Sequence, residues 1–579
     1  MELTLIAVVG VVAIVAVAAF SERLGLAAPL GLVVVGIAVS FVPGVPRPEI
    51  EPDWVLAGAL PPLLYSAAVN VPAIDFRRNV KPISGLAVLL VAVTTLGAGW
   101  LFHLLLPGVG WPAAFALGAV VSPTDAVAAT AVGRRLGLPA RLLTVLEGEG
   151  LVNDASALVL LRSAVLATAG SVTLAEVAGH FVYSVVLAVA VGTVVGVVNV
   201  RVRALLEDSV LNTAISFVVP FVAFVPAEEL EASGVLAVVV AGLVTGHRSP
   251  ERLRAVDRLA EATNWRTLAF LLEGGIFLLM GLSLHGLLDE VHDEGLGVGR
   301  ALAIGLLASA FVIVVRMVFV APLVAALRND ERRAARAKPH LARMQERLAG
   351  LQEERRVSEK RMRRIEQRTA QVVARIDFML REALGWRGGV VLAWSGMRGA
   401  ITVAAAQTLP EDTPYRPQLV LIAFVVAVTT LLLQGLTLPW VIRAVRVPGD
   451  DPERLREEYA RLLGELGAAA SDVLDAAERP APGGAVYDPA IVSRVRSDFA
   501  FRGRGPGPVG EADREALETG REQYVRLRLR VLEAERAAAL AARAKGVYSS
   551  RALSQVQHRL DVEEARFQQF ADEADEAGR

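Results

Sequence analysis

The sequence contains no cysteine, so disulfides, thiolate metal sites and cysteine nucleophiles are excluded. It has almost no net charge, −1 over 579 residues, which by itself assigns no partner. No nucleophile–base pair and no metal-ligand cluster stands out, which argues against an enzyme and gives no sign of a cofactor. No nucleic-acid partner is expected. Charged residues are scarce over most of the first 326 positions and again over 389–446. They concentrate in two blocks, about 328–387 and 447–579.

What fills the uncharged stretches is hydrocarbon. The chain is 54% hydrophobic with mean hydropathy +0.48, too apolar for an ordinary soluble protein of this length. Apolar runs approaching the ~20 residues that span a bilayer lie at 3–20, 28–45, 54–72, 82–106, 111–132, 141–167, 175–199, 210–226, 233–246, 264–285, 300–326, 389–409 and 418–444. Leu3–Phe20 resembles a signal peptide only in part. Glu2 stands where a basic residue belongs, and no small-residue cleavage site follows, so a retained first helix is expected. About thirteen transmembrane helices in an all-α polytopic membrane protein follow.

Loop charge tests that count. Arg23, then Arg77, Arg78 and Lys81, then Arg134, Arg135 and Arg141, then Arg201 and Arg203, then Arg248, Arg252, Arg254 and Arg258 occupy alternate loops. The intervening loops hold only Arg47, Arg300 and Arg416. Positive loops favour the cytoplasm, so the N-terminus is expected outside and the C-terminus inside. The domains are then transmembrane helices over 1–326, a charged cytoplasmic helical insertion over 327–388, two further membrane helices over 389–446, and a cytoplasmic helical tail over 447–579. The insertion carries 17 Lys/Arg against 9 Asp/Glu across 328–387. It reads either as a solvated helical hairpin or as a basic surface on anionic lipid. The tail reads as three or four helices, with breaks at Pro480–Gly484 and Gly503–Pro508. Its position suggests a regulatory or dimer-stabilising role.

Three runs break the apolar pattern. Glu147-Gly148-Glu149-Gly150-Leu151-Val152-Asn153-Asp154 lies in the sixth run, Ser122-Pro123-Thr124-Asp125 in the fifth and Ser395-Gly396-Met397-Arg398-Gly399 in the twelfth. A charge at the bilayer centre costs ~2.5 kcal/mol or more, so such groups are read first as functional. At 1.5 Å per residue all three stretches fall ~9–21 Å into their helices, near one level. Pro123 lacks an amide hydrogen and so opens its helix or kinks it, and Gly396 with Gly399 permits similar unwinding. Broken helices expose carbonyls and helix ends at the midplane, where transporters hold ions. On the sixth run Glu149 and Asn153 share one face, while Gly150 and Asp154 share the next. Glu149 and Asn153 are expected to hold the Arg398 guanidinium, leaving Asp154 for the ion. Glu147 is expected to line an entrance.

These motifs, in this order, resemble the signature runs of the sodium/proton exchangers, the NhaP branch in prokaryotes and the NHE branch in animals. Leu60-Pro61-Pro62-Leu63-Leu64-Tyr65, Ser233-Gly234 and Glu273–Phe277 are weaker likenesses. The insertion and the tail run Leu560-Asp561-Val562-Glu563-Glu564-Ala565-Arg566 are similar to those of long bacterial members. The resemblance implies a homodimer in lipid, inverted three-helix repeats, and fifth and twelfth helices that cross unwound. It implies Na⁺ and H⁺ binding at Asp154, with Thr124, Asp125 and Asn153 around it and Glu149 and Arg398 as the structural core. Ser122, Gly150, Ser66, Glu147 and Glu273 are expected around that set, Gly150 and Ser66 at positions that reach the cation directly or through water and Glu273 as a structural or domain-interface carboxylate. Gly150 stands where many relatives have serine, and Ser66 where some have glutamate, so cation preference is open. An Asn-Asp pair implies electroneutral exchange.

The expected chemistry is competition. An unperturbed aspartate has a pKa near ~3.9; desolvation favours the protonated form of such an acid and a bound cation the charged form. Na⁺/H⁺ antiport by alternating access follows, serving pH and sodium homeostasis at the plasma membrane. A K⁺-selective antiporter and a transport-inactive sensor acting through the tail are the alternatives. Arg162 is expected to be an anchor near the outer end of the sixth helix, and Glu228, Glu229 and Glu231 to concentrate cations nearby. His103, His180, His247, His285 and His292 read as interfacial, or as pH sensors.

Overall fold

The computed structural model describes residues 2–43, 51–169, 173–292, 297–353, 376, 384–479, 487–500 and 511–577. Among these residues every regular element is helical. Two compact units form: one of residues 1–249, 263–337 and 379–450, the other of 250–262, 338–378 and 451–579.

The first unit contains α1 (Glu2–Leu24), α2 (Ala28–Ser40), α3 (Trp54–Asn70), α4 (Ala73–Arg78), α5 (Val80–Leu105), α6 (Trp111–Val120), α7 (Val127–Arg135), α8 (Ala140–Ala169), α9 (Leu174–Arg203) and α10 (Ser209–Glu229). It continues through α11 (Gly234–Arg252), α12 (Ala255–Leu282), α13 (Leu284–His292), α14 (Val298–Glu353), α15 (Gly385–Trp394), α16 (Ala400–Gln407) and α17 (Arg416–Val445). The ends of α11, α12 and α14 run into the second unit. Each apolar run of the sequence falls on one of these helices or on a broken pair. Among the described residues, seven helices are long and apolar enough to cross a membrane, and α2, α3, α6 and part of α1 are shorter apolar helices.

Local chemistry sets the irregularities. Pro61 and Pro62 remove two amide hydrogens in α3, and the turn before them, Trp54–Ala59, is π-helical. Gly25 ends α1 at φ +79°, a conformation that suits glycine. α14 runs unbroken for 56 residues from the apolar run into the charged block. No turn therefore separates membrane helix from insertion near 327. The second half of that expected hairpin lies outside the described residues, as do the breaks expected at 480–484 and 503–508.

Two apolar cores fill the first unit. One joins α2, the later part of α5, α6, α7, α14, α15, α16 and α17. The other joins α3, α10, α11 and Trp265 of α12. α8 contributes to both: Leu142, Val145, Leu146 and Leu161 to the first, Leu151 and Ala155 to the second. The acidic stretch thus lies on the helix shared by two separately packed cores.

The second unit is built from α18 (Pro452–Glu478), α19 (Pro489–Ala500), α20 (Glu511–Lys545) and α21 (Ser550–Ala577). Asp451 caps α18 by accepting from the amides of Glu453 and Arg454, with Pro452 opening the helix. Gly546, at φ +67°, separates α20 from α21. Leu462, Leu466, Leu532, Val556 and Leu560 form one of its apolar clusters.

Candidate ion site at two broken helices

Two chain breaks meet inside the first unit. In the first, α6 stops at Val120 and α7 starts at Val127. Proline pushes the residue before it out of helical geometry, so Ser122 cannot continue α6. Its hydroxyl instead donates to the Ala119 carbonyl at 2.8 Å. Asp125 Oδ1 accepts from the Val127 amide at 2.7 Å, placing a carboxylate at the start of α7. In the second break, α15 stops at Trp394 and α16 starts at Ala400. The Asp125 amide donates to the Met397 carbonyl at 2.7 Å, so the extended segments are bonded backbone to backbone. A Cβ on Gly399 would stand 2.6 Å from Asp125 Oδ2, and only glycine admits that approach.

The open helix ends are satisfied by arginines. Arg398 donates from Nε to the Val121 carbonyl at 3.1 Å and from Nη1 to Gly396, while its amide donates to Thr430 Oγ1. A guanidinium therefore covers the carbonyl end of α6, where the helix dipole favours a cation. Arg316 does the same for α15, donating to the Leu392 carbonyl from Nε at 3.1 Å and from Nη2 at 2.9 Å. A Cβ on Gly396 would come within 2.3 Å of Arg316 Cδ.

The buried ion pair differs from the one expected. Glu149 pairs with Arg316, not Arg398: Nη2 reaches Oε2 at 2.9 Å and Nη1 reaches Oε1. Thr124 Oγ1 also donates to Glu149 Oε1, at 2.7 Å. Asn153 does not hold Arg398 either. Its Nδ2 donates to the Thr124 carbonyl at 2.6 Å and to Thr124 Oγ1 at 3.1 Å. The physical reason is that depth along a helix fixes level but not direction. Both arginines reach the level of Glu149, and packing aims Arg316 at it while Arg398 turns to the end of α6. Arg316 was legible as a lone arginine in Phe311-Val312-Ile313-Val314-Val315-Arg316-Met317-Val318.

Asp154 contrasts with its neighbour. It is 7% exposed, and its carboxylate has no hydrogen-bond or ion-pair partner among the described residues. Asp125 lies within electrostatic range of it. Gly150, one turn before Asp154, backs onto the first break, where an added Cβ would stand 2.9 Å from the Ala126 side chain. Asn153 Oδ1 is buried without a hydrogen-bond partner among the described residues. Glu273 on α12 also interacts electrostatically with Asp125 and has no bonded partner among the described residues. The remaining candidates stand apart. Glu147 pairs with Arg134 of α7 at 2.5 Å. Ser66 is buried in α3, and no side-chain hydrogen bond joins it to Asp154 among the described residues. Arg162 pairs with Glu228, which also accepts from the Gly234 amide at 2.8 Å.

Residues 10–444 match the model of the transmembrane sodium/hydrogen exchangers. The chain belongs to that family. An exchanger of Mycobacterium tuberculosis, named for Na⁺ and H⁺, is 29% identical over 581 residues, covering 98% of this chain and 97% of its own. A Bacillus pumilus antiporter named for sodium, potassium, lithium, rubidium and H⁺ is 28% identical, covering 71% of this chain and 57% of its own. The fold is similar to that of the sodium proton antiporter MjNhaP1 from Methanocaldococcus jannaschii, with TM-score 0.54 and 15% identity over 77% of this chain and 99% of that one. In this exchanger the two breaks, the paired Glu149 and the bare Asp154 lie within the first unit.

Proposed function

We propose that this exchanger carries Na⁺ one way and H⁺ the other across the plasma membrane by alternating access, with Asp154 binding each in turn. The observation that carries the reading is the asymmetry of α8, where Glu149 is fully paired and Asp154 is left bare. A proton or a cation neutralises Asp154, and either loaded form passes a low-dielectric path more readily than a free carboxylate. Asp125 and the Thr124 carbonyl, which keeps a second lone pair, supply further oxygens at the mouth of the first break. Asn153 carries no ionisable charge, so the site exchanges one cation for one proton and the cycle is electroneutral. The seam between the two apolar cores, along α8, is where the moving parts slide. The working form is a homodimer in lipid, and the arginine-rich loops put the N-terminus outside and the tail inside. A wider range of alkali cations is a second reading, favoured by the Bacillus relative's name.

The test is dissipation of a pH gradient in proteoliposomes, with Na⁺, K⁺ and Li⁺ added in turn across a pH series, with and without an imposed voltage. A Na⁺ response insensitive to voltage is expected. No response to any cation would overturn antiport, and a response that scales with voltage would overturn electroneutrality.

A further inference from the structure

The two breaks are served by their neighbouring helices in related ways. α5, the α6–α7 pair and α8 follow one another as a long helix, a broken pair and a long helix, and α14, the α15–α16 pair and α17 repeat that order. In the first set α8 serves its break with side chains one turn apart: Glu149 accepts from Thr124 Oγ1, and the Asn153 amide donates to the Thr124 carbonyl. In the second set α17 offers Thr430, Gln434 and Thr437, spaced four and three residues apart and so on one face. Thr430 Oγ1 accepts from the Arg398 amide at 3.1 Å, just before α16. Thr437 Oγ1 accepts from Trp394 Nε1 at 2.8 Å, at the last residue of α15. The two threonines therefore hold the break from either side, and Gln434, between them, is turned to the extended residues Ser395, Gly396 and Met397.

Gln434 is 0% exposed, and neither its Oε1 nor its Nε2 has a hydrogen-bond partner among the described residues. The exchange reaction gives it no task. An apolar side chain of the same length would fill the place without the cost of a dry amide, so the glutamine calls for a polar partner. The break is short of partners too. Among the described residues the Gly396 and Met397 amides donate to no backbone carbonyl, and both residues are buried. The Met397 carbonyl is taken by the Asp125 amide at 2.7 Å, and the Gly396 carbonyl by Arg398 Nη1. Two amide donors and a side chain with one acceptor group and two donors thus share one buried contact, with no direct bond between them. Buried polar groups in that relation are joined by ordered water, which makes about three bonds.

We propose that Gln434 is a positioning residue that holds the second break through a buried water shared with the Gly396 and Met397 amides, the part that Asn153 plays directly at the first break. Its consequence for exchange rests on the antiporter reading. The Met397 carbonyl holds the Asp125 amide, and Gly399 admits Asp125 Oδ2, so the place of the second break sets that of Asp125. Asp125 in turn lies within electrostatic range of Asp154. A loosened break weakens cation binding without removing any group that binds the cation.

The deciding variant is Gln434→Met, which keeps the length of the side chain and removes its polar end. Gln434→Asn keeps the amide one carbon shorter and is the conservative companion. The first readout is hydrogen exchange of the 394–399 backbone in the full chain in detergent, with the amides of α9 as reference. Gln434→Met should speed it about fivefold or more and leave α9 unchanged, with Gln434→Asn in between. The second readout is the apparent KM for Na⁺ and the maximal rate of pH-gradient dissipation in proteoliposomes, scaled to folded protein. In Gln434→Met the KM should rise about fivefold while the maximal rate changes less than about twofold, and Gln434→Asn should recover part of the affinity. A glutamine kept for packing alone would give a methionine variant at least as stable, with the same hydrogen exchange and the same KM. Unchanged hydrogen exchange overturns the holding role whatever transport does. Faster hydrogen exchange with an unchanged KM overturns the link to Asp125 alone. An inert wild type overturns the antiporter reading, and hydrogen exchange then decides the role of Gln434 by itself.

Discussion

Two of the three acidic residues of α8, Glu149 and Asp154, are treated in opposite ways. Glu149 receives two bonds from Arg316 and one from Thr124, and its charge is balanced at the point of burial. Asp154, five residues on, has no bonded partner among the described residues and lies within electrostatic range of a second carboxylate, Asp125. The difference shows how a membrane helix carries both a strut and a working group. Balanced charge fixes the two breaks in place, since Arg316 also bonds α15 and Thr124 belongs to the first break. On the proposed reading, the unbalanced charge is the one a mobile cation or proton completes. Arg398 is occupied with the carbonyl end of α6 rather than with Asp154.

Substitutions can break that contrast from either side. The largest effect is expected from Asp154→Asn, which should fold, insert and lose all cation-driven pH dissipation; retained exchange would remove Asp154 from its role. Next come Glu149→Gln and Arg316→Gln, each of which strands the other's charge. Each should lower stability by about 3–5 kcal/mol, read as thermal unfolding in detergent, and the double variant Glu149→Gln with Arg316→Met should recover part of the loss. Gly399→Ala tests the contact between the breaks. With Asp125 fixed by the Val127 amide, the added methyl group should cost about 1–3 kcal/mol, seen as slower exchange with little change in the amount of inserted protein. The smallest effect belongs to Arg162→Gln. Its pair with Glu228 is more than half exposed on the arginine side, so a loss below about 1 kcal/mol, shrinking further with salt, is expected.

Much of this arrangement was legible in the sequence. Ser122-Pro123 marked one break because proline disturbs both its own turn and the residue before it. Gly396 and Gly399 marked the other by permitting unwinding, and the structure adds that each also admits a close approach, to Arg316 and Asp125. The i, i+4 relation put Glu149 and Asn153 on one face, and both do contact Thr124. Their guanidinium partner was not legible. Helical depth gives one coordinate, and choosing Arg316 over Arg398 needs the direction of each side chain, which only packing supplies. Composition led to three or four tail helices, whose expected breaks lie outside the described residues, and it gave no sign of the place of 250–262 among them. Arg258 donates to Asp561 within that unit, yet the two are 303 positions apart, and nothing local in either stretch specifies the other.

Competition of Na⁺ and H⁺ for the one bare carboxylate is tested most directly by the apparent KM for Na⁺ measured across pH in proteoliposomes. At acidic pH the KM should rise about tenfold for each unit of pH lost, with the maximal rate unchanged, because one proton excludes one cation. A KM that is flat across the same range, or one that rises as the square of the proton concentration, would contradict a single shared site at Asp154.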